Sequence, residues 1–284
     1  MIQQFEQYLL EQDKSTNTIK SYIQHVNGFM KWFNESKGVS FQKLHRENVK
    51  DYISYLKTIK NDSPTTINAK ISGLIKFNDF LIDKGIQNEA AVTKKDNVKI
   101  QKQYASLATV ELKDVEKFRQ LILENESKRN YAIITLLAYC GLRISETLNI
   151  DMKDFNLVSR ELIVSEGKGK KTRTVFMSDK VKTVLQGWIK EREEKGIANA
   201  YLFVSNRGGR VDRTVINKLF NKYSQQIGKE ITPHDLRHFF CSHAIEIGMT
   251  VHEVANQAGH SNIHTTLLYT NPNKNTLINK MNML

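Results

Sequence analysis

The feature that most limits what this chain can fold into is an apolar helical period that fills its first third and returns, after one interruption, in its last half. In residues 15–36, Ile19, Tyr22, Ile23, Val26, Phe29, Met30 and Phe33 recur at three- and four-residue steps, which puts them on one face of a helix. SPTTINAKISGLIKFNDFLIDKG, residues 63–85, repeats the pattern with its own punctuation: Ser63 can cap, Pro64 suits the first helical position, and Gly85 can close the end. Shorter helices near residues 2–12 and 45–60 complete an all-helical domain over residues 1–88, whose aromatic side chains read as bundle core.

Residues 89–105, EAAVTKKDNVKIQKQYA, lose the period and carry Lys94, Lys95, Lys99 and Lys102, so they read as a basic linker. Helices resume from Thr109, and SKRNYAIITLLAYCG predicts a buried helix ended by Gly141. The texture then changes: ELIVSE and TRTVFMS are β-rich runs joined by GKGKK, a hairpin signal. Helices follow near residues 179–195, 212–227 and 235–247, Thr250 and Glu253 form a capping box for another, and Ser261 can cap the last one before Tyr269. The expected fold is mainly α with a small antiparallel β-sheet.

Charge narrows the partner. Forty-two Lys and Arg against 30 Asp and Glu leave a net charge of +12, which favours a polyanion, nucleic acid ahead of a membrane surface. The excess is not a tail: residues 1–105 carry 16 basic and 11 acidic groups, residues 106–284 carry 26 and 19, so both halves would meet the anion. Cys140 and Cys241 lie far apart inside apolar runs and read as reduced core residues, which suits a cytoplasmic protein. There is neither an 18-residue apolar stretch nor a signal-peptide pattern, so no membrane partner is expected.

Three histidines, an aspartate and an arginine crowd ITPHDLRHFFCSH, residues 231–243. Thr232 and Pro233 make an N-cap and first-turn pair, so His234 and Arg237 share one face at the start of a helix. The spacing of His234 and His238 superficially matches a zinc-hydrolase helix, but Asp235 stands where that pattern needs Glu, and Arg237 brings a fixed cation; no metal is expected. A helix whose Phe239, Phe240 and Ala244 pack, with histidines serving local hydrogen bonds, would equally explain the stretch alone. Two further places matter for a polyanion. In CGLRISE, Arg143 follows a helix-ending glycine and has Glu146 three residues on; taken singly, it is a salt-bridge residue or a phosphate ligand. In AGHSNIHTTLLYT, His260 follows a glycine and Tyr269 comes nine residues later, a place where a lone tyrosine usually packs.

Taken together, GLRISE, GKGKKTRTV, HDLRHFFCSH and GHSNIHTTLLYT resemble, in order and spacing across residues 141–270, the tyrosine recombinases, the phage integrase, Xer and Cre group of DNA strand-exchange enzymes. Ala258 departs from the leucine usual before the Gly-His pair, a packing position. The resemblance implies a two-domain DNA clamp: a SAM-like core-binding domain over 1–88, the linker 89–105, a catalytic domain over 106–271 and a tail, 272–284, for contact between protomers. It implies that Tyr269 attacks a DNA phosphodiester to form a 3′-phosphotyrosine, with no metal or other cofactor. Arg143 and Arg237 would clamp the non-bridging oxygens, which a planar guanidinium suits. His260 would donate to the phosphate, His234 would assist proton transfer from the phenol, and Lys168, on the hairpin turn, would protonate the leaving 5′-oxygen, with Lys170 and Lys171 as competitors. Glu146 would orient Arg143 from behind, while His238 and His243 look structural.

The partner implied is a double-stranded recombination site, with the helices of residues 15–36 and 63–85 entering the major groove and Lys20, Lys70 and Lys76 as candidate contacts. Leu277, Ile278, Met281 and Leu284 recur at helical spacing, which suits docking on a neighbour in a homotetramer on two DNA sites, or packing in cis; accessory proteins stay unspecified. The start of the chain speaks against an integrase with a separate arm-binding module and toward a Xer-type or mobile-element resolvase. A phage-type integrase, a regulator with the fold but no turnover, and a zinc hydrolase are the alternatives.

Overall fold

The computed structural model describes residues 1–100, 110–165, 172–260, 262–268, 278, 281 and 282. The chain divides into two compact units, residues 1–102 and 103–284.

The first unit is four helices: α1 (Ile2–Glu11), α2 (Thr16–Lys37), α3 (Arg46–Thr58) and α4 (Pro64–Asp83). Ser15 and Ser63 each accept a hydrogen bond from the backbone N–H three residues on, at 3.2 Å, which fixes where α2 and α4 start. The core is an aromatic cluster in which Phe29 meets Tyr52 edge-on at 5.1 Å and Phe5 meets Phe77 at 5.1 Å. Residues 89–98, expected as linker, pack back on this unit. Ala91 and Val92 are buried, Arg46 pairs with Asp96 at 2.6 Å, and the Asn68 amide donates to the Val98 carbonyl and accepts from its N–H. The loss of α-helical period marks an irregular segment with one 3-10 turn, Lys94–Asp96, that packs on this unit.

The second unit is built on α6 (Lys128–Cys140), buried nearly all round and flanked by α5 (Leu112–Asn125), α8 (Asp179–Glu194) and α10 (Pro233–Glu246). Gly141 ends α6 at φ +64°, and the ring of Phe240 lies where a Cβ would project, so only glycine fits there. A one-turn helix, α7 (Ile144–Leu148), leads into a three-stranded antiparallel sheet, β1 (Phe155–Asn156), β2 (Glu161–Ser165) and β3 (Thr172–Phe176), in sequential order. Its register sets Leu162 opposite Val175 and Val164 opposite Arg173. Beyond it come α9 (Arg213–Ile227), α11 (Val251–Ala258) and α12 (His264–Leu267). The chain is therefore mainly helical with one small sheet. Among the described residues no helix is long and apolar enough to cross a membrane.

Candidate active site

Two arginines from distant parts of the sequence meet on one carboxylate. Arg143 is the N-cap of α7, and its backbone N–H donates to Glu146 Oε2 at 2.8 Å while its Nη1 donates to Oε1 at 2.7 Å. Arg237, at the start of the second turn of α10, reaches to 4.0 Å from Glu146 Oε2. Each arginine is also held by the carbonyl of a left-handed glycine that ends another helix. Arg237 Nη1 donates to Gly141 O at 2.6 Å, and Arg143 Nη2 donates to Gly259 O at 3.0 Å. These carbonyls sit at the negative ends of α6 and α11, where a cation is favoured.

The electrostatics follow from burial. Burial opposes the charge of Glu146, but hydrogen bonds from Arg173 and Arg143 more than offset it and hold the carboxyl below its ordinary pKa. Burial, and then the neighbouring Arg143, lower the pKa of Arg237.

Three arginines in this unit are 3–5% exposed, and their partners separate them. Arg192 donates to the carbonyls of Ile197, Asn199, Tyr201 and Leu202. Arg119 donates to Glu116, Tyr131 and Thr135 and lies over two tyrosine rings. Arg237 makes one hydrogen bond among the described residues. A guanidinium has five N–H donors, so Arg192 and Arg119 are satisfied by the fold and Arg237 keeps donors for a ligand.

His260 follows the Gly259 turn, and its Nδ1 lies 2.7 Å from the hydroxyl of the fully buried Thr266. Burial, then the charges of Arg237 and Arg143, push its pKa down to about 4, so it is a neutral imidazole at pH 7. A neutral ring donates from one nitrogen only. If the Thr266 hydroxyl donates to Nδ1, the proton sits on Nε2. His234 Nε2 is 2.8 Å from His238 Nε2, with the rings edge to face, so these two histidines share a proton position. In front of Arg143 and His234 lies a groove of about 510 Å³, whose other wall is the Arg213, Asn217 and Asn221 face of α9. Arg143 at one edge, and Arg213 with the two asparagine amides along the other, can take a phosphate and the polar groups beside it.

The phage integrase family pattern matches residues 109–276, and its N-terminal SAM-like domain matches residues 2–85. The chain belongs to the phage integrase family. The recombinase is 50% identical, over 99% of its length and 98% of the relative's, to TnP I resolvase of Bacillus thuringiensis. It is 28% identical to tyrosine recombinase XerA of Pyrococcus horikoshii, over 95% of this chain and 88% of that one. In fold it matches the XerH recombinase bound to its palindromic difH substrate with a TM-score of 0.74 at 22% identity, covering 93% of this chain and 78% of that one. The Tn1549 transposon integrase in complex with a circular intermediate DNA gives 0.72 at 21% identity, covering 99% and 98%. The protein is a site-specific recombinase, an enzyme of a family that cleaves and rejoins DNA through a 3′-phosphotyrosine.

In the recombinase the structure brings Arg143, Glu146, Arg237 and His260 together, with His234 at the groove beside Arg143. Lys168, Lys170, Lys171 and Tyr269 lie outside the described residues. In the first unit, Lys20 is exposed on α2, whereas Lys70 pairs with Asp62 at 2.6 Å and Lys76 with Asp79 at 2.8 Å. Among the described residues no group of three His, Cys, Asp or Glu converges as a metal site would require. Sequence reasoning missed Arg173 and Thr266; His238, expected to be structural, makes a local hydrogen-bond contact with His234. The alternation of TRTVF carried the signal for Arg173, since it puts that residue on the same face as the buried Val175.

Proposed function

We propose that the recombinase uses Tyr269 as its nucleophile, Arg143 and Arg237 as the phosphate clamp, His260 as a further donor, His234 as proton acceptor and Lys168 as general acid. The phenol oxygen of Tyr269 bonds to phosphorus as the bond to the 5′-oxygen breaks. The phenol proton passes to His234, and the leaving oxygen takes one from Lys168 to become a 5′-hydroxyl. Attack of a 5′-hydroxyl from the partner strand on the phosphotyrosine reverses these steps, so bond energy is conserved. Phosphoryl transfer of this kind asks for positioning and for donors around the developing charge. The observation that carries the reading is the unsatisfied guanidinium of Arg237 beside the Arg143–Glu146 pair.

DNA contact in this reading extends to α9, whose Arg213, Asn217 and Asn221 repeat every four residues along the groove. Lys20 is a candidate phosphate contact in the first unit. Lys70 and Lys76 would have to exchange Asp62 and Asp79 for phosphate. A homotetramer on two sites is supported by a hollow of about 570 Å³ walled by Tyr139, Phe176, Phe239, Phe240, Ile247 and Met249. Ile278 and Met281 are exposed in the tail and are the apolar groups a neighbour would insert there; Leu277 and Leu284 lie outside the described residues. The resolvase relative supports a resolution reaction, and in this reading it acts on mobile-element or replicon dimers or cointegrates in the cytoplasm.

The test is to incubate the protein, in chelator, with a library of nicked duplexes that trap a cleaved strand, then to sequence the DNA linked to protein and map the linkage. An adduct on Tyr269 is expected. An adduct on another residue moves the nucleophile, and an adduct that needs added metal removes the arginine-based mechanism.

A further inference from the structure

We propose that Arg173 is a positioning residue of the phosphate clamp, holding Glu146 so that Arg143 is oriented without being neutralised; this rests on the recombinase reading above. A charged side chain on a core-facing strand position is costly unless it is fully paired. Arg173 stands opposite Val164 in the sheet, and three of its donors reach Glu146 and the end of α11. Nη1 donates to Glu146 Oε1 at 3.0 Å and Nη2 to Oε2 at 2.9 Å, the two-pronged geometry for which a guanidinium is suited. Nε donates to the Gln257 carbonyl at 3.3 Å, in the last turn of α11. The guanidinium also lies against Gly259: its carbon is 2.5 Å from where a Cβ would stand, and φ there is +71°. One side chain thus joins β3, the α7 cap and the turn that presents both His260 and the carbonyl holding Arg143.

The charges show why this matters. Among the described residues three guanidinium groups face one carboxylate, an excess of two positive charges beside the place for a phosphate. Glu146 is almost completely buried, its side chain 6% exposed, so it cannot turn to solvent for balance. Without Arg173, both carboxylate oxygens would draw on Arg143 and Arg237, and the clamp would close on its own support. Lysine could replace the charge but not the fork, because an ammonium is a point donor.

The decisive measurement is single-turnover cleavage of a nicked duplex at saturating protein, with DNA affinity and thermal midpoint recorded for the same samples. Arg173→Gln should cleave about 100-fold more slowly while its Kd stays within about threefold, a split expected when transition-state donors are misplaced. Arg173→Lys should keep the melting temperature and recover less than about tenfold of the loss. Combining Arg173→Gln with Glu146→Gln should be no slower than Glu146→Gln alone, because the two act as one unit. On a duplex with an uncharged methylphosphonate at the cleavage position, the Arg173→Gln defect should shrink below about tenfold. Full rescue by lysine, additive losses in the double variant, or an equal defect on both duplexes would overturn the proposal. If wild-type protein cleaves no duplex, the recombinase mechanism fails by itself, and Arg173 is judged on the DNA-free protein. There, Arg173→Gln should raise the titration midpoint of His260 seen by NMR; an unmoved His260 sinks the inference.

Discussion

The two units bury different chemistry. Among the described residues the first hides the neutral Asn78 and Gln87 inside an aromatic core and a single carboxylate side chain, Asp96, paired with Arg46, whereas the second hides Arg119, Arg192, Arg237 and Glu146. The first unit's amides complete one another: Asn78 accepts from Gln87 at 2.7 Å and from the Ala91 N–H at 2.9 Å. The second unit's buried charges are complete at Arg119 and Arg192 and incomplete at Arg237. Burial of a charge therefore says little about function. Which of its donors the fold leaves over is the informative quantity.

That comparison can be broken at several points. The largest effect is expected at Tyr269→Phe, which should reduce covalent adduct to background with DNA binding unchanged in a gel-shift titration. Arg237→Ala should slow single-turnover cleavage by about 10³-fold, while Arg192→Ala should lower the melting temperature and leave the rate of the remaining folded enzyme within about threefold. If the two arginine variants behave alike, leftover donors do not distinguish them. Thr266→Val, which leaves Nδ1 of His260 without its hydroxyl, should cost about tenfold in cleavage rate with little change in DNA affinity. In the first unit, Gly73→Ala sets a methyl 2.9 Å from His25 Cβ; the steric cost, about 1–3 kcal/mol, exceeds alanine's helix preference of about 1 kcal/mol, so urea should unfold that variant earlier.

A pH effect is the smallest and gives the sign. His260 has a folded pKa of about 4 against an ordinary 6.5, so its contribution to stability is complete above about 6.5 and is lost as pH falls toward 4. His25 and His238 are lowered too, chiefly by burial, and add in the same direction. The melting temperature should fall on acidification through that window, and His260→Gln should flatten the slope.

Much of this was legible in the chain. Helix starts at Ser63, Thr232 and Thr250 were readable because capping is local chemistry, and the structure has all three side chains accepting the expected backbone bonds. The hairpin pairing followed from two β-rich runs, and the structure sets them antiparallel. Residues 89–98 were harder, since an irregular segment with one 3-10 turn, held by Asn68 and Arg46, leaves no period to read. Arg143 and Glu146 are near in sequence, so their pairing was visible. Arg173 and Gly259 meet only after folding, across 86 positions, and no local pattern could join them.

The glycines that hold the two arginines have one more consequence. Gly141 and Gly259 act on Arg237 and Arg143 through main-chain oxygen, not through any side chain. An alanine scan would record both glycines as intolerant for their backbone angles and would never register the carbonyls as ligand supports. That part of the clamp's anchoring is therefore invisible to genetics. Replacing the amide with an ester at the following residue, which weakens that acceptor, keeps every side chain and at His260 also removes the N–H that donates to Ala255 O, is the kind of change that would expose it. The same invisibility protects the clamp while the surrounding side chains drift: no codon encodes the loss of a carbonyl.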